Sequence, residues 1–127
     1  MTNQRKANKQ NAIAFYRTAY MGEPTKAVEL YVGDDYVQHN PMVADGKQGF
    51  IEYFTQMSQQ YPKKDIEFLR VIAEGDLVAL HTRQTWPEGD EYVTMDFFRF
   101  DVNGKIVEHW DSIQLVPNES ANNNSMF

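Results

Sequence analysis

Cysteine is absent from the 127 residues. The chain therefore forms no disulfide, offers no thiolate to a metal and carries no thiol nucleophile. No segment reaches the ~18 apolar residues of a membrane-spanning helix. The opening stretch MTNQRKANKQ is basic but has no apolar segment behind it, so it does not read as a secretory signal, and a cytoplasmic location is the expectation. Positive charge is in deficit: 12 Lys and Arg against 18 Asp and Glu leave a net charge of −6. Such a surface repels phosphate backbones, so neither nucleic acid nor a membrane is an expected partner. There is no Gly-rich phosphate loop and no G-x-S-x-G elbow. The three histidines lack the H-x-H or H-E-x-x-H spacing of metal ligands. No metal and no cofactor are expected.

What is present is apolar and aromatic. At 42% hydrophobic and 13% aromatic residues, the chain can build a core and fits one domain over residues 1–127, with about 1–9 and 118–127 as flexible ends. A core this aromatic can also line a cavity, although packing is the commoner use.

The first half has helical periodicity. Ile13, Phe15, Tyr16, Ala19 and Tyr20 make one face of a helix that begins within Asn3–Asn11 and stops at Gly22. A short helix follows from Pro24 through Val28, Leu30, Tyr31 and Val32, broken by Gly33-Asp34-Asp35. The run VQHNP (37–41) reads as a short strand ended by Pro41. A third helix spans about Lys47 to Gln60, with Phe50, Ile51, Phe54 and Met57 apolar.

The second half alternates with the period of strands. Two strands flank a turn at Glu74-Gly75-Asp76, PEGD makes another turn, and EYVTMDFFRFD is a third strand. VNGK is a hairpin signal, since Asn-Gly accepts positive φ, and it leads into KIVEHWDSIQLV. Helices first and a strand meander second indicate an α+β fold: a curved, mainly antiparallel sheet wrapped on three helices as a cone whose open end is a pocket.

Alternation sorts the chemistry-bearing residues. Tyr92, Thr94, Asp96, Phe98 and Phe100 share one face of the third strand. Turned inward, Asp96 would be a desolvated carboxyl among aromatic rings, which favours its protonated form; the alternative is an edge aspartate bonded to a turn or an arginine. On the fourth strand Val107, His109, Asp111, Ile113 and Leu115 share a face, and a bulge would swap these assignments. Asp111 is either a base in an enclosed site or a satisfied structural carboxylate. His81 lies mid-strand, as a catalyst or as a core or interface residue. Before Pro41, His39 and Asn40 either face a ligand or, for Asn40, satisfy backbone groups.

YVGDDYVQHNP, DGKQGFIEYF, EGDLVALHTR and DFFRFDVNGKIVEHWDSIQ together resemble the SnoaL-like proteins of the NTF2-like superfamily over roughly residues 10–117, the last block being the most specific. The resemblance implies the same cone fold and a cofactor-independent polyketide cyclase, performing an intramolecular aldol condensation with the aspartate after EHW, here Asp111, as general acid/base. It also marks departures. Where the cyclases carry a histidine, this chain has Asp96, as the ketosteroid isomerases do. The isomerase base position before the early proline is Asn40, which takes no proton, so that reaction is disfavoured. Limonene epoxide hydrolases need Arg-x-Asp, and Thr94 stands where the arginine would be.

The enzyme expectation has Asp111 abstracting a proton α to a carbonyl, with Asp96, His81, Asn40 or Tyr16 donating to the enolate oxygen. His39, Asn40, Tyr16, His109 and Phe98 are the expected substrate contacts. The alternative is a non-catalytic domain that holds a small apolar or carbonyl-containing ligand in the same pocket. Under either, the apolar outer face of Met95, Phe97 and Trp110 predicts a homodimer.

Overall fold

The computed structural model describes residues 2–127. Met1 lies outside the described residues, and Thr2 already stands in α1 (Thr2–Tyr20), one residue before the expected window. The segment 2–9, expected to be a flexible end, thus forms the opening turns of that helix. Helix α1 buries Asn8, Ala12, Phe15, Tyr16, Ala19 and Tyr20, a stripe at helical spacing. α2 (Pro24–Tyr31) starts with Pro24 in its first turn, where a missing N–H costs nothing. α3 (Gly46–Gln60) is capped by Asp45, whose carboxylate accepts from the Gly46 main-chain N–H.

Five strands form one sheet in the order β1-β5-β4-β3-β2. They are β1 (Val32–Gln38), β2 (Asp65–Glu74), β3 (Leu77–Thr85), β4 (Glu91–Phe100) and β5 (Ile106–Leu115). β1 runs parallel to β5, and every other pairing is antiparallel. Gly33-Asp34-Asp35, expected to be a break, instead belongs to β1. Val32 already pairs with Ile106, so a ladder partner distant in sequence overrides the local turn signal, while Asp34 and Asp35 stay exposed.

The hairpin between β4 and β5 falls where VNGK predicts it, but by another turn. Gly104 takes positive φ (+77°) and Asn103 does not. The Asp101 carboxylate accepts from the main-chain N–H groups of Asn103 (2.9 Å) and Lys105 (3.0 Å), closing the loop. The register shifts between Arg99 and Phe100, so that Arg99 faces Glu108 while Phe100 faces Ile106. This irregularity at Val107 changes the simple alternation. Ile106 becomes fully buried (0%) on the same side as His109, whereas strict alternation assigns it to the outer face.

The core fills the space between the sheet's inner face and the helices. Phe15 packs on Phe50 and Phe98 (centroids 4.9 and 5.7 Å), and Phe50 on Phe54 (4.5 Å). Val78, Leu80, Phe98, Phe100 and Ile106 supply the sheet side. Each such side chain stabilises by roughly 1.5–3 kcal/mol relative to exposure. The tail expected to fray lies back on the outer face instead. The Met126 carbonyl accepts from His81 Nε2 (2.9 Å), and the Phe127 ring lies 4.7 Å from the Arg83 guanidinium. No helix among the described residues is long and apolar enough to cross a membrane.

Candidate active site

β4 and β5 bring the two aspartates together: Asp96 is the direct cross-strand partner of Asp111, and Phe98 that of His109. Because side chains of directly opposed residues share a face, both carboxylates and the imidazole stand on the inner side. One oxygen from each carboxylate and one His109 nitrogen lie within 4.8 Å of one another.

Asp96 is 1% exposed and does not reach the cavity. Its Oδ2 meets His109 Nε2 at 2.8 Å, and its Oδ1 accepts from the Thr94 hydroxyl at 2.6 Å. Thr82 and Thr94 share a further hydroxyl hydrogen bond beneath it. His109 lies flat on Phe98, with centroids 4.4 Å apart and planes 11° from parallel. Its Nδ1 meets Gln38 Oε1 at 3.1 Å.

Asp111 is the carboxylate that lines the cavity. Its Oδ1 is buried with no hydrogen-bond partner among the described residues. Burial chiefly, and then the nearby Asp96, push its carboxyl above the usual carboxylate range, while His109 and the Asn40 side chain pull it back. The cavity holds about 60 Å³ between α1, α3, β5 and the loop after β1. Tyr16, Asn40, Met57, Gln84 and His109 share its wall with Asp111. Burial, followed by the charges of Asp96 and Asp111, raises the Tyr16 phenol well above its ordinary value. Tyr53 on the cavity wall is also raised, by burial and then Asp111. These phenols therefore remain O–H donors beside the carboxylate at neutral pH.

Several expected residues stand elsewhere. His81 is on the outer face, because Leu80 and Thr82 point inward on either side of it. Its ring bonds Arg70 (2.9 Å) and the Met126 carbonyl, so it cannot donate to anything in the cavity. His39 also turns outward: it stacks on Trp110 (4.8 Å, 2°) and its Nε2 donates to Glu108 (2.8 Å). Of the pair in VQHNP, Asn40 is the one that faces the cavity. Phe98 is 0% exposed and supports the His109 ring from behind, with no face open to a ligand. Asp96 likewise acts on His109 and not on the cavity.

Residues not anticipated include Gln38, Gln84 and Tyr20. Gln84 donates to the Tyr16 hydroxyl at 3.2 Å. A signal for it existed: Thr82, Gln84, Thr94 and Asp96 are polar residues at strict period two among inward apolar ones. Gln38 carried no such signal, since its partner His109 lies 71 residues away.

The SnoaL-like domain model matches residues 12–109, and the chain belongs to that family. Its solved neighbours share the NTF2-like cone fold. AclR from Streptomyces galilaeus is 20% identical with a TM-score of 0.72, covering 87% of this chain and 90% of its own. A SnoaL-like protein from Agrobacterium tumefaciens is 18% identical with a TM-score of 0.70, covering 90% and 99%. IdmH from Streptomyces antibioticus, described as a candidate polyketide cyclase, is 19% identical with a TM-score of 0.68, covering 83% and 91%. At these identities the likeness is one of fold. No curated protein matches the chain.

Proposed function

We propose that the chain is an acid/base enzyme that needs no cofactor and forms an enolate from a small carbonyl compound, in the manner of an aldol-type cyclase. One observation carries this: Asp111, a half-buried carboxylate, faces the cavity with an oxygen that no group among the described residues satisfies. A buried carboxylate oxygen left without a partner is costly, and a proton to abstract is a physical use for it. Burial raises its basicity above that of an ordinary carboxylate, the direction a general base needs. Phenol and amide donors stand around the same space, where charge would develop on a carbonyl oxygen.

The cavity as it stands admits only a few atoms, and Met42, Val43 and Met57 stand in its wall. Candidate polyketide cyclases among the fold neighbours are consistent with a polyketide-like carbonyl substrate. The second reading, a binding domain without chemistry, has the apolar cavity wall of Phe54, Met57 and Ile113 in its favour.

Exchange of the α-protons of a simple β-keto ester into D2O, followed by NMR, separates the two. The enzyme should accelerate exchange, and Asp111→Asn should lower that rate by about 100-fold or more with the fold intact. No acceleration by the wild type, or equal rates for both proteins, supports the binding reading. We also propose a homodimer through the outer face, where Met95 and Phe97 remain about half exposed (49% and 48%).

A further inference from the structure

Gln38 closes the end of β1, and its carboxamide is hydrogen-bonded at both its oxygen and its nitrogen. Its Oε1 accepts from the main-chain N–H groups of His39 (3.1 Å) and Asn40 (3.0 Å). Its Nε2 donates to the Tyr36 hydroxyl (2.9 Å). Turning the amide over would set an NH2 group against two N–H donors, so the oxygen must be the atom that faces His109. An amide oxygen only accepts. His109 Nδ1, 3.1 Å from it, must therefore carry a proton.

The other ring nitrogen is also committed. Nε2 lies 2.8 Å from Asp96 Oδ2, and the remaining Asp96 oxygen is taken by Thr94. With Nδ1–H held, one further proton lies between Nε2 and Oδ2. Placed on nitrogen it makes an imidazolium–carboxylate pair; placed on oxygen it makes a neutral imidazole and a carboxylic acid. The pair has zero net charge either way, and neither nitrogen has a free lone pair toward the cavity. Asp111 is then the residue of the three left to accept a proton.

We propose that Gln38 is a positioning residue that holds the His109 proton on Nδ1, and so makes the Asp96–His109 pair a fixed neutral unit and leaves proton exchange to Asp111. The geometry stands by itself; its catalytic meaning rests on the acid/base reading above. Gln38 also joins the pair to the cavity wall, because the two amides that bind its oxygen belong to His39 and Asn40.

The test is long-range 1H–15N NMR of the imidazoles in the full chain, with His39→Gln and His81→Gln used to assign the three rings. The wild type should show a protonated, slowly exchanging Nδ1 on His109. Gln38→Glu keeps an accepting oxygen and should retain that signal. Gln38→Leu removes it, and the proton should leave Nδ1, giving the tautomer protonated at Nε2 alone. A bare Nδ1 in the wild type overturns the proposal, and so does a Gln38→Leu spectrum unchanged at His109. Loss of the signal in both variants reduces Gln38 to a packing residue. None of these outcomes depends on turnover, whereas failure of β-keto ester exchange removes the enzyme reading and leaves the tautomer result standing.

Discussion

Asp111 carries both the proposed chemistry and a stability cost. Its carboxyl is raised in the folded chain, first by burial and then by Asp96. The folded state therefore binds the Asp111 proton more tightly than the unfolded state does. Between the unfolded value near 3.9 and the raised folded value, stability falls as pH rises, and above that window the whole penalty is present. Asp111→Asn carries no charge and should be more stable than the wild type at pH 7, by on the order of 1 kcal/mol, as active-site substitutions often are. The difference should vanish near pH 3, where Asp111 is protonated in both states. Urea unfolding at the two pH values checks this; a variant that is less stable at pH 7 makes Asp111 a structural carboxylate. Burial distinguishes the histidines in the same way. His109 is 6% exposed and bonded to Asp96, while His39 and His81 are tied to surface partners.

At the scale of elements, the loop after β1 matters most. Asp45 ties it at both ends, accepting from the main-chain N–H groups of Gln38 and Gly46 (both 2.9 Å). Backbone hydrogen bonds from Gln38 and Gly46 accordingly hold the Asp45 carboxyl below the usual carboxylate range. α3 approaches so closely at Gly49 that a Cβ there would lie 2.0 Å from the Ala44 carbonyl oxygen. This frame turns Asn40 in and His39 out. Asn40 favours the ionised form of Asp111, so Asn40→Ala should raise that carboxyl further. The acid limb of the β-keto ester exchange profile should then move to higher pH. His39→Ala should leave the profile in place, since its ring meets Glu108 and Trp110 on the outer face. A shift with His39→Ala and none with Asn40→Ala reverses the assignment.

For the whole molecule, the outer sheet face combines apolar and charged parts. Phe97 pairs across strands with Trp110, and Arg99 reaches over that ring (5.6 Å) while bonding Asp76 (2.8 Å) and Glu108 (3.1 Å). Met95 and Phe97 remain open beside this clamp. If two copies join there, Phe97→Glu should halve the sedimenting mass at micromolar concentration, because it places two unpaired charges at the centre of the interface. A wild type that sediments as a monomer removes the dimer. The tail lies on this same face through Met126 and Phe127, so a second copy must dock beside it.

The period of the apolar residues, by itself, determined three helices followed by strands and which residues share a face within each strand, because periodicity is a local property of the chain; the pairing of Asp96 with Asp111 came from the register of β4 on β5. The period did not determine that Gly33-Asp34-Asp35 extends a strand, since Val32 finds its partner at Ile106, 74 residues on. Nor did it show that Ile106 turns inward, which depends on an irregular register against β4. Which histidine meets a carboxylate was likewise a tertiary matter. His81, His39 and His109 are chemically alike; alternation along β3 turns His81 outward, and the pairing of β5 with β4 together with the contacts to Asp96 and Gln38 encloses His109.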